Sequence, residues 1–301
     1  MKARRWRHGA LLGLVMVVAL VAAGCGDNGD DTGGGTGTAT TAPAVDEALA
    51  AKVPAEVKSD GKLVVGTDTT YSPNEFLDTD GKTPVGWDID LFAAVAAKLG
   101  LKTDFRPAKF PDIIPGILSG KYEIGVSSFT INPERKQQVN MVSYFNAGTQ
   151  WGAKKGNPTG IQPDDACGKK VAVQTGTVQE TEDLPKRQAA CKSAGKPAFT
   201  IDSYQDQGQA TAAIVSGKDD AMLADSPVVA YAVKQTNGQL ELLGDIYEAA
   251  PYGYVIKKEQ TEFAQAVADA VKALISDGTY KTILEKWGVQ AGAIENPAVN
   301  P

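Results

Sequence analysis

Two serines, a threonine and an arginine crowd into "GVSSFTINPERK", Gly125 to Lys136. A planar guanidinium offers paired donors to a carboxylate, and hydroxyls with the backbone N–H groups of a helix start complete the set, so this is the composition of an anion site. The flanking elements must position it. The preceding "KYEIGV" reads as a short strand, and "NPER" as a helix start with Asn132 as N-cap and Pro133 at the first helical position. Arg135 then falls in the first turn, at the positive end of the helix dipole, which costs a few tenths to ~1 kcal/mol unless something negative comes to it. Ser and Thr are also common in turns for local backbone hydrogen bonds, and Arg135 could lie in solvent beside Glu134. The stretch alone leaves both readings open.

Strand-like runs alternate with helical ones along the rest of the chain. "KLVVGT" is followed by a loop and by "DIDLFAAVAAKLG", which puts Ile89, Phe92, Val95, Ala96 and Leu99 on one helical face with Gly100 as the stop. "KTDFRP", a short helix through Ile117 and Leu118, and "KYEIGV" follow. A second series runs through "KKVAVQTG", a helical segment before Cys191, "AFTIDSY", "QGQATAAIVSG" and "DAMLADS", and the last long helices are "EFAQAVADAVKALISDG" and "YKTILEKWG". This is α/β patterning with crossover connections. "IIPGILSGKYEIGVSS" and "TAAIVSGKDDAMLADS" echo each other: an apolar helix end, Ser-Gly-Lys, an acid, and a buried strand ending in polar residues. Gly120 and Gly217 suit the left-handed position that closes a helix. Each strand delivers polar residues at its carboxyl end, where open α/β sheets place ligands, and two such ends facing each other define a cleft.

The first residues, "MKARRWRHGALLGLVMVVALVAAGC", are basic, then apolar from Ala10 to Ala23, then small up to Cys25; residues 1–24 read as a secretory signal, and "LVAAGC" resembles the lipobox of bacterial lipoproteins, which implies acylation of Cys25. Nothing later approaches eighteen continuous apolar residues. Loss of 1–24 removes Lys2, Arg4, Arg5 and Arg7 and no acid, turning 30 basic against 36 acidic residues into 26 against 36, a net −10. An acidic chain without basic tracts is a poor nucleic-acid binder. His8, the one histidine, leaves with the signal, so no Ser-His-Asp or Cys-His chemistry remains and neither a metal nor a cofactor is expected. Cys167 and Cys191 are too few for a structural zinc site and should form a disulfide outside the cytoplasm. Residues 25–56, rich in Gly, Thr and Asp, read as a flexible tether holding the folded part within roughly 30 Å of a membrane.

The segments "GTDTTYSPNEF", "GWDIDLFAAVAAKLG", "GVSSFTINPERK", "VAVQTGT", "DDAMLADSP", "YGYVIKK" and "DGTYKTILEKWG", in that order between Lys62 and Gly288, resemble the family 3 extracellular solute-binding proteins, the polar amino-acid receptors of ABC importers. The resemblance implies a two-lobed, type II periplasmic-binding-protein-like α/β fold with two hinge strands and the ligand in the interlobe cleft: lobe 1 from 57–149 and 252–301, lobe 2 from 150–251. It implies a monomer on the outer face of the cell membrane that captures an L-amino acid and delivers it to a membrane permease, without catalysis. Carried onto this chain, the α-carboxylate falls to Arg135 with Ser127, Ser128 and Thr130, and the ammonium to Asp225. Tyr71 and Trp87 fall where aromatics sandwich the ligand, Asp68 where its side chain is read, and Gln174, Thr175 and Thr177 on the loop that closes from lobe 2. Asn74 stands where the family often has Phe.

Asp68 left over beside a matched zwitterion disfavours an acidic ligand, so glutamine or a basic amino acid is expected, glutamine slightly ahead because no second acid is placed to hold a full charge. Two rivals use the same residues. A cyclohexadienyl or arogenate dehydratase-like enzyme would need Asp68 or Asp225 as general acid. A receptor for another small anion would suit "SSFT" and Arg135, but Asp225 would repel a dianion.

Overall fold

The strand-like and helical runs of the sequence alternate in the structure as strands and helices. The computed structural model describes residues 43–301; the expected signal segment, Cys25 and the first part of the tether lie outside the described residues. The strands are β1 (Lys62–Thr67), β2 (Thr70–Tyr71), β3 (Glu75–Leu77), β4 (Pro84–Val85), β5 (Lys102–Pro107), β6 (Ile124–Gly125), β7 (Val139–Lys154), β8 (Lys170–Gln174), β9 (Thr200–Tyr204), β10 (Ala221–Asp225) and β11 (Leu240–Lys257). The helices are α1 (Glu47–Ala50), α2 (Ala55–Lys58), α3 (Trp87–Lys98), α4 (Phe110–Ser119), α5 (Pro133–Gln138), α6 (Leu184–Ser193), α7 (Gln207–Ser216), α8 (Ser226–Gln235), α9 (Thr261–Ser276) and α10 (Thr279–Trp287). No described helix is long and apolar enough to cross a membrane.

One eight-stranded sheet runs in the order β5-β1-β6-β11-β7-β10-β8-β9, and β2-β3-β4 make a small separate sheet. β1 is parallel to β5 and β6 on one side, and β8 is parallel to β10 and β9 on the other. The long antiparallel pair β7 and β11 passes through both halves. Its register runs from Lys257 opposite Val139 to Leu240 opposite Lys154, and it shifts between Leu243 and Tyr247, Tyr247 and Ala250, and Tyr252 and Gly253, where the pair leaves one half for the other.

Each half has its own core. In the first, Phe92, Val95, Ala96 and Leu99 of the α3 segment are buried as its periodicity requires, against Phe263, Val267 and Val271 of α9 and the sheet. In the second, Ala210, Ala213 and Ile214 of α7 pack with Val228, Val229 and Met222 on one face, while Val171, Val173 and Leu223 meet Trp151 and Leu184 on the other. The echo in the sequence is an echo in structure: Gly120 (φ 79°) closes α4 before β6, and Gly217 (φ 78°) closes α7 before β10. Cys167 and Cys191 form a disulfide with their Cα atoms 5.6 Å apart, tying the segment before β8 to α6.

The expected tether is too long at its carboxyl end. The Asp46 side chain accepts from the N–H groups of Ala48 and Leu49 to start α1, and its own N–H donates to the carbonyl of Lys98 at 2.9 Å. Val53 and Val57, four residues apart, are buried in the first core, and Lys52 pairs with Asp269 at 2.8 Å. An apolar pair at that spacing suffices to dock a short segment that composition alone reads as loose.

Candidate functional site

The carboxyl ends of β1, β6, β8 and β10 converge on one narrow cavity. Its lining includes Asp68, Tyr71, Ser127, Ser128, Thr130 and Arg135 from the first half, and Gln174, Thr177 and Asp225 from the second.

Arg135 is placed by its helix start. The Asn132 carboxamide caps α5 by accepting from the Arg135 N–H at 2.8 Å, which turns the side chain inward. Its Nη1 donates to the Thr130 carbonyl at 2.8 Å, and Nη2 reaches across to the Gly176 carbonyl at 3.0 Å. The guanidinium carbon lies 5.4 Å from the ring centres of both Phe110 and Phe129, which stack on each other at 4.5 Å. Among the described residues no carboxylate comes within ion-pair distance of it. Burial pushes its pKa down to about 10, with the field of Asp225 opposing. A buried cation held by carbonyls and ring faces keeps N–H groups to spare and the charge to attract an anion.

Asp225 ends β10 and is 5% exposed. Its Oδ2 accepts from the Tyr71 hydroxyl at 2.9 Å and its Oδ1 from the Gln179 amide at 2.8 Å. Burial raises its pKa, against hydrogen bonds and the charge of Arg135. Asp68, 1% exposed at the end of β1, is more fully engaged: Oδ1 accepts from the Thr70 N–H at 2.9 Å and hydroxyl at 2.8 Å, and Oδ2 from the Phe110 N–H at 3.1 Å and the Gln174 amide at 2.7 Å. Its pKa is also raised by burial, with those bonds opposing. The two halves meet over the cavity through the Gln174 and Arg135 bonds and through a rim of Asn132 on Glu182 at 2.6 Å, Gln207 N–H on Thr70 at 3.2 Å, and a Lys109–Asp206 ion pair.

Two expected residues lie elsewhere. Trp87 is fully buried in the first core, its ring 4.4 Å from Phe145 and 6.4 Å from Tyr252, because it opens α3 directly beneath the aromatic faces of β7 and β11. Its indole N–H donates to the Asn74 carboxamide at 2.8 Å, and Asn74 in turn donates to Ser128 at 2.9 Å, so Trp87 reaches the cavity wall at one remove. Thr175 is not part of the lining, and its backbone N–H donates to the Tyr204 carbonyl at 2.9 Å. Phe110, Val178 and Gln179 line the cavity without having been expected. Gln179 stands two residues beyond Thr177 in the same closing loop, and extending that loop into its helical turn was the available signal. Phe110 had none, since only the fold brings the start of α4 to the site.

A two-lobed α/β protein that encloses a polar, charge-lined cavity between its halves is a solute-binding protein by class. The chain matches the bacterial extracellular solute-binding proteins, family 3, over residues 63–290, and it belongs to that family. It is 37% identical over 252 residues to the arginine-binding protein ArgT of Corynebacterium glutamicum, covering 84% of this chain and 82% of that protein. Among solved structures it is similar to an ancestral arginine-binding protein bound to arginine (TM-score 0.69, 37% identity, covering 75% of this chain and 98% of that one). It is also similar to the ancestral amino acid-binding protein AncCDT-1, a precursor of cyclohexadienyl dehydratase (TM-score 0.68, 36% identity, covering 77% and 97%).

Proposed function

We propose that the cavity receives a free L-amino acid for an ABC importer, its α-carboxylate on Arg135 and its ammonium on Asp225, and that the amino acid is basic, with arginine first. The observation that carries this reading is the charge of the lining: one guanidinium against two buried carboxylates. A zwitterion matches Arg135 and Asp225 and leaves Asp68 uncompensated. A cationic side chain neutralises it, whereas a second carboxylate would meet like charge in a desolvated site. Residue spacing alone put glutamine slightly ahead for want of a second acid. Glu75, whose carboxyl accepts from Ser127 at 3.1 Å while Ser127 accepts from the Asp68 N–H at 3.0 Å, stands behind that end of the site, but burial raises its pKa and favours the neutral acid, so Asp68 is the charge that turns the order toward a cation. The arginine-binding relatives support the same choice.

The site works as a receptor rather than an enzyme in this reading. Asp68 accepts from four donors, so both of its oxygens are already engaged and neither is free to pass a proton to a leaving hydroxyl. Closure of lobe 2 (150–251) on lobe 1 (57–149 and 252–301) would present the ligand to a permease, and acylation of Cys25 would keep this monomer at the membrane; the sequence supports both.

Calorimetric titration of arginine, lysine, glutamine and glutamate decides the ligand. Arginine should bind tightest and glutamate weakest; glutamate binding tenfold tighter than glutamine would overturn the charge argument. Arg135→Ala should abolish binding of all four, a loss of about 2–5 kcal/mol, while far-ultraviolet dichroism stays that of the wild type.

A further inference from the structure

Behind the two serines of the cavity wall lies a pair of acids that ligand contact does not explain. Glu75 begins β3 and Asp88 lies in the first turn of α3, and both are wholly buried. Glu75 accepts from the Ser127 hydroxyl through Oε1 and from the Ser128 hydroxyl through Oε2, each at 3.1 Å. Asp88 Oδ2 accepts from the Ser128 N–H at 3.2 Å and from the Tyr144 hydroxyl at 2.6 Å, while Asp88 Oδ1 is buried without a donor. The Ser128 hydroxyl lies 3.1 Å from one carboxyl and 3.3 Å from the other, so the two acids stand side by side.

The ionisable groups that face them are Asp68 at the end of β1, Tyr71 on β2, Tyr144 on β7, and Tyr252 and Tyr254 on β11. None of these is a cation. Two carboxylates in contact in a dry interior cannot both ionise, and one proton between them removes a charge and supplies the donor that Asp88 Oδ1 lacks. Burial raises both acids, Asp88 to about 7, which agrees with a retained proton.

The wall they hold is not relaxed on its own. Ser128 has φ 51°, a left-handed conformation that a serine adopts at a cost, and it is fixed there by its N–H on Asp88 and by its hydroxyl between Glu75 and Asn74. We propose that Glu75 and Asp88 hold a single proton between them and thereby position Ser127 and Ser128 for the ligand, so that loss of this proton loosens the wall and weakens binding. They are positioning residues, and protonation of a site the ligand never touches becomes a condition for capture. The proposal rests on the cavity being the amino-acid site.

The test is the dissociation constant of arginine from about pH 5.5 to about pH 8.5 for wild type, Glu75→Gln and Asp88→Asn. Asp68 and Asp225 titrate in all three proteins, so the ratio of wild type to variant isolates the pair. That ratio should grow about tenfold or more as pH rises, the equivalent of one pKa unit of coupling, because an amide keeps the neutral partner at every pH. Both variants should match wild type within about threefold at the acid end. Parallel pH profiles in all three proteins would show a packing role only and overturn the proposal. Should neither variant fold, the infrared carbonyl stretch of a protonated carboxylic acid in wild-type protein near pH 7 remains the readout, and its absence would overturn the shared proton. Failure of wild type to bind any amino acid at any pH is a separate outcome that sinks the reading of the cavity itself, and the infrared band does not depend on it.

Discussion

Asp68 and Asp225 are the same residue in the same kind of place, the carboxyl end of a buried strand, one in each half of the sheet, and both line the cavity. Their partners differ. Asp68 takes two donors from Thr70 two residues on, a third from the start of α4, and a fourth from Gln174 of the other half. Asp225 takes Tyr71 and Gln179 at 2.9 and 2.8 Å, with neither donor from a nearby backbone N–H, and it stands in the field of Arg135. A carboxylate committed to local backbone N–H groups holds a loop and a helix start in place, and it offers a ligand mainly its charge. One with spare lone pairs can receive a donor directly. The lesson is that strand-end position marks an acid as near the cavity, while its hydrogen-bond partners decide whether it has lone pairs to offer there or frames the wall.

The comparison breaks most visibly at Asp225. Asp225→Asn preserves shape and removes the charge proposed to face the ammonium, so amino-acid affinity should fall by about 2–5 kcal/mol while des-amino analogues lose little. Calorimetry with both ligand types checks it, and equal losses would mean that Asp225 only braces Tyr71. Asp68→Asn should act on two readouts at once. Its amide cannot accept from all four donors, so unfolding free energy should drop by about 1–3 kcal/mol, and the preference for arginine over glutamine should shrink about tenfold. Unchanged stability in urea titration would show that Asp68 is not the frame.

The subtlest difference is in pH. Burial raises both acids above their unfolded values, so each contributes stability that is fully present below the ordinary carboxylate range and is lost as pH climbs through its raised folded value. The melting temperature of ligand-free protein should therefore decline as pH rises from about 4 toward neutrality, and either Asn variant should flatten part of that slope. Slopes identical to the wild type in both variants would deny that burial strains either group.

Much of this was legible in residue order. Asn132-Pro133 followed two residues later by Arg135 places a guanidinium in a helix's first turn by local rules of capping alone, and it does so in the structure. The repeated Ser-Gly-Lys closure before β6 and β10 is equally local, because only a residue free to adopt positive φ ends a helix that way. Composition and cysteine count likewise pointed to the Cys167–Cys191 bond. What the tertiary structure decided is every choice between burial in the core and burial in the cleft. Trp87 is amphipathic wherever it stands, and only the packing of α3 against β7 and β11 sent its ring to the core and its N–H to Asn74. Phe110 became part of the cavity because the first turn of α4 lies across the end of β1, a contact between segments 42 residues apart. Glu75 and Asp88 carry no local sign of a shared proton, since the energy that creates one is the mutual repulsion and desolvation of two groups that meet only after the chain has folded. Local backbone preferences act over a few residues and can be read in order; desolvation and charge coupling depend on neighbours in space, and those are set by the sheet.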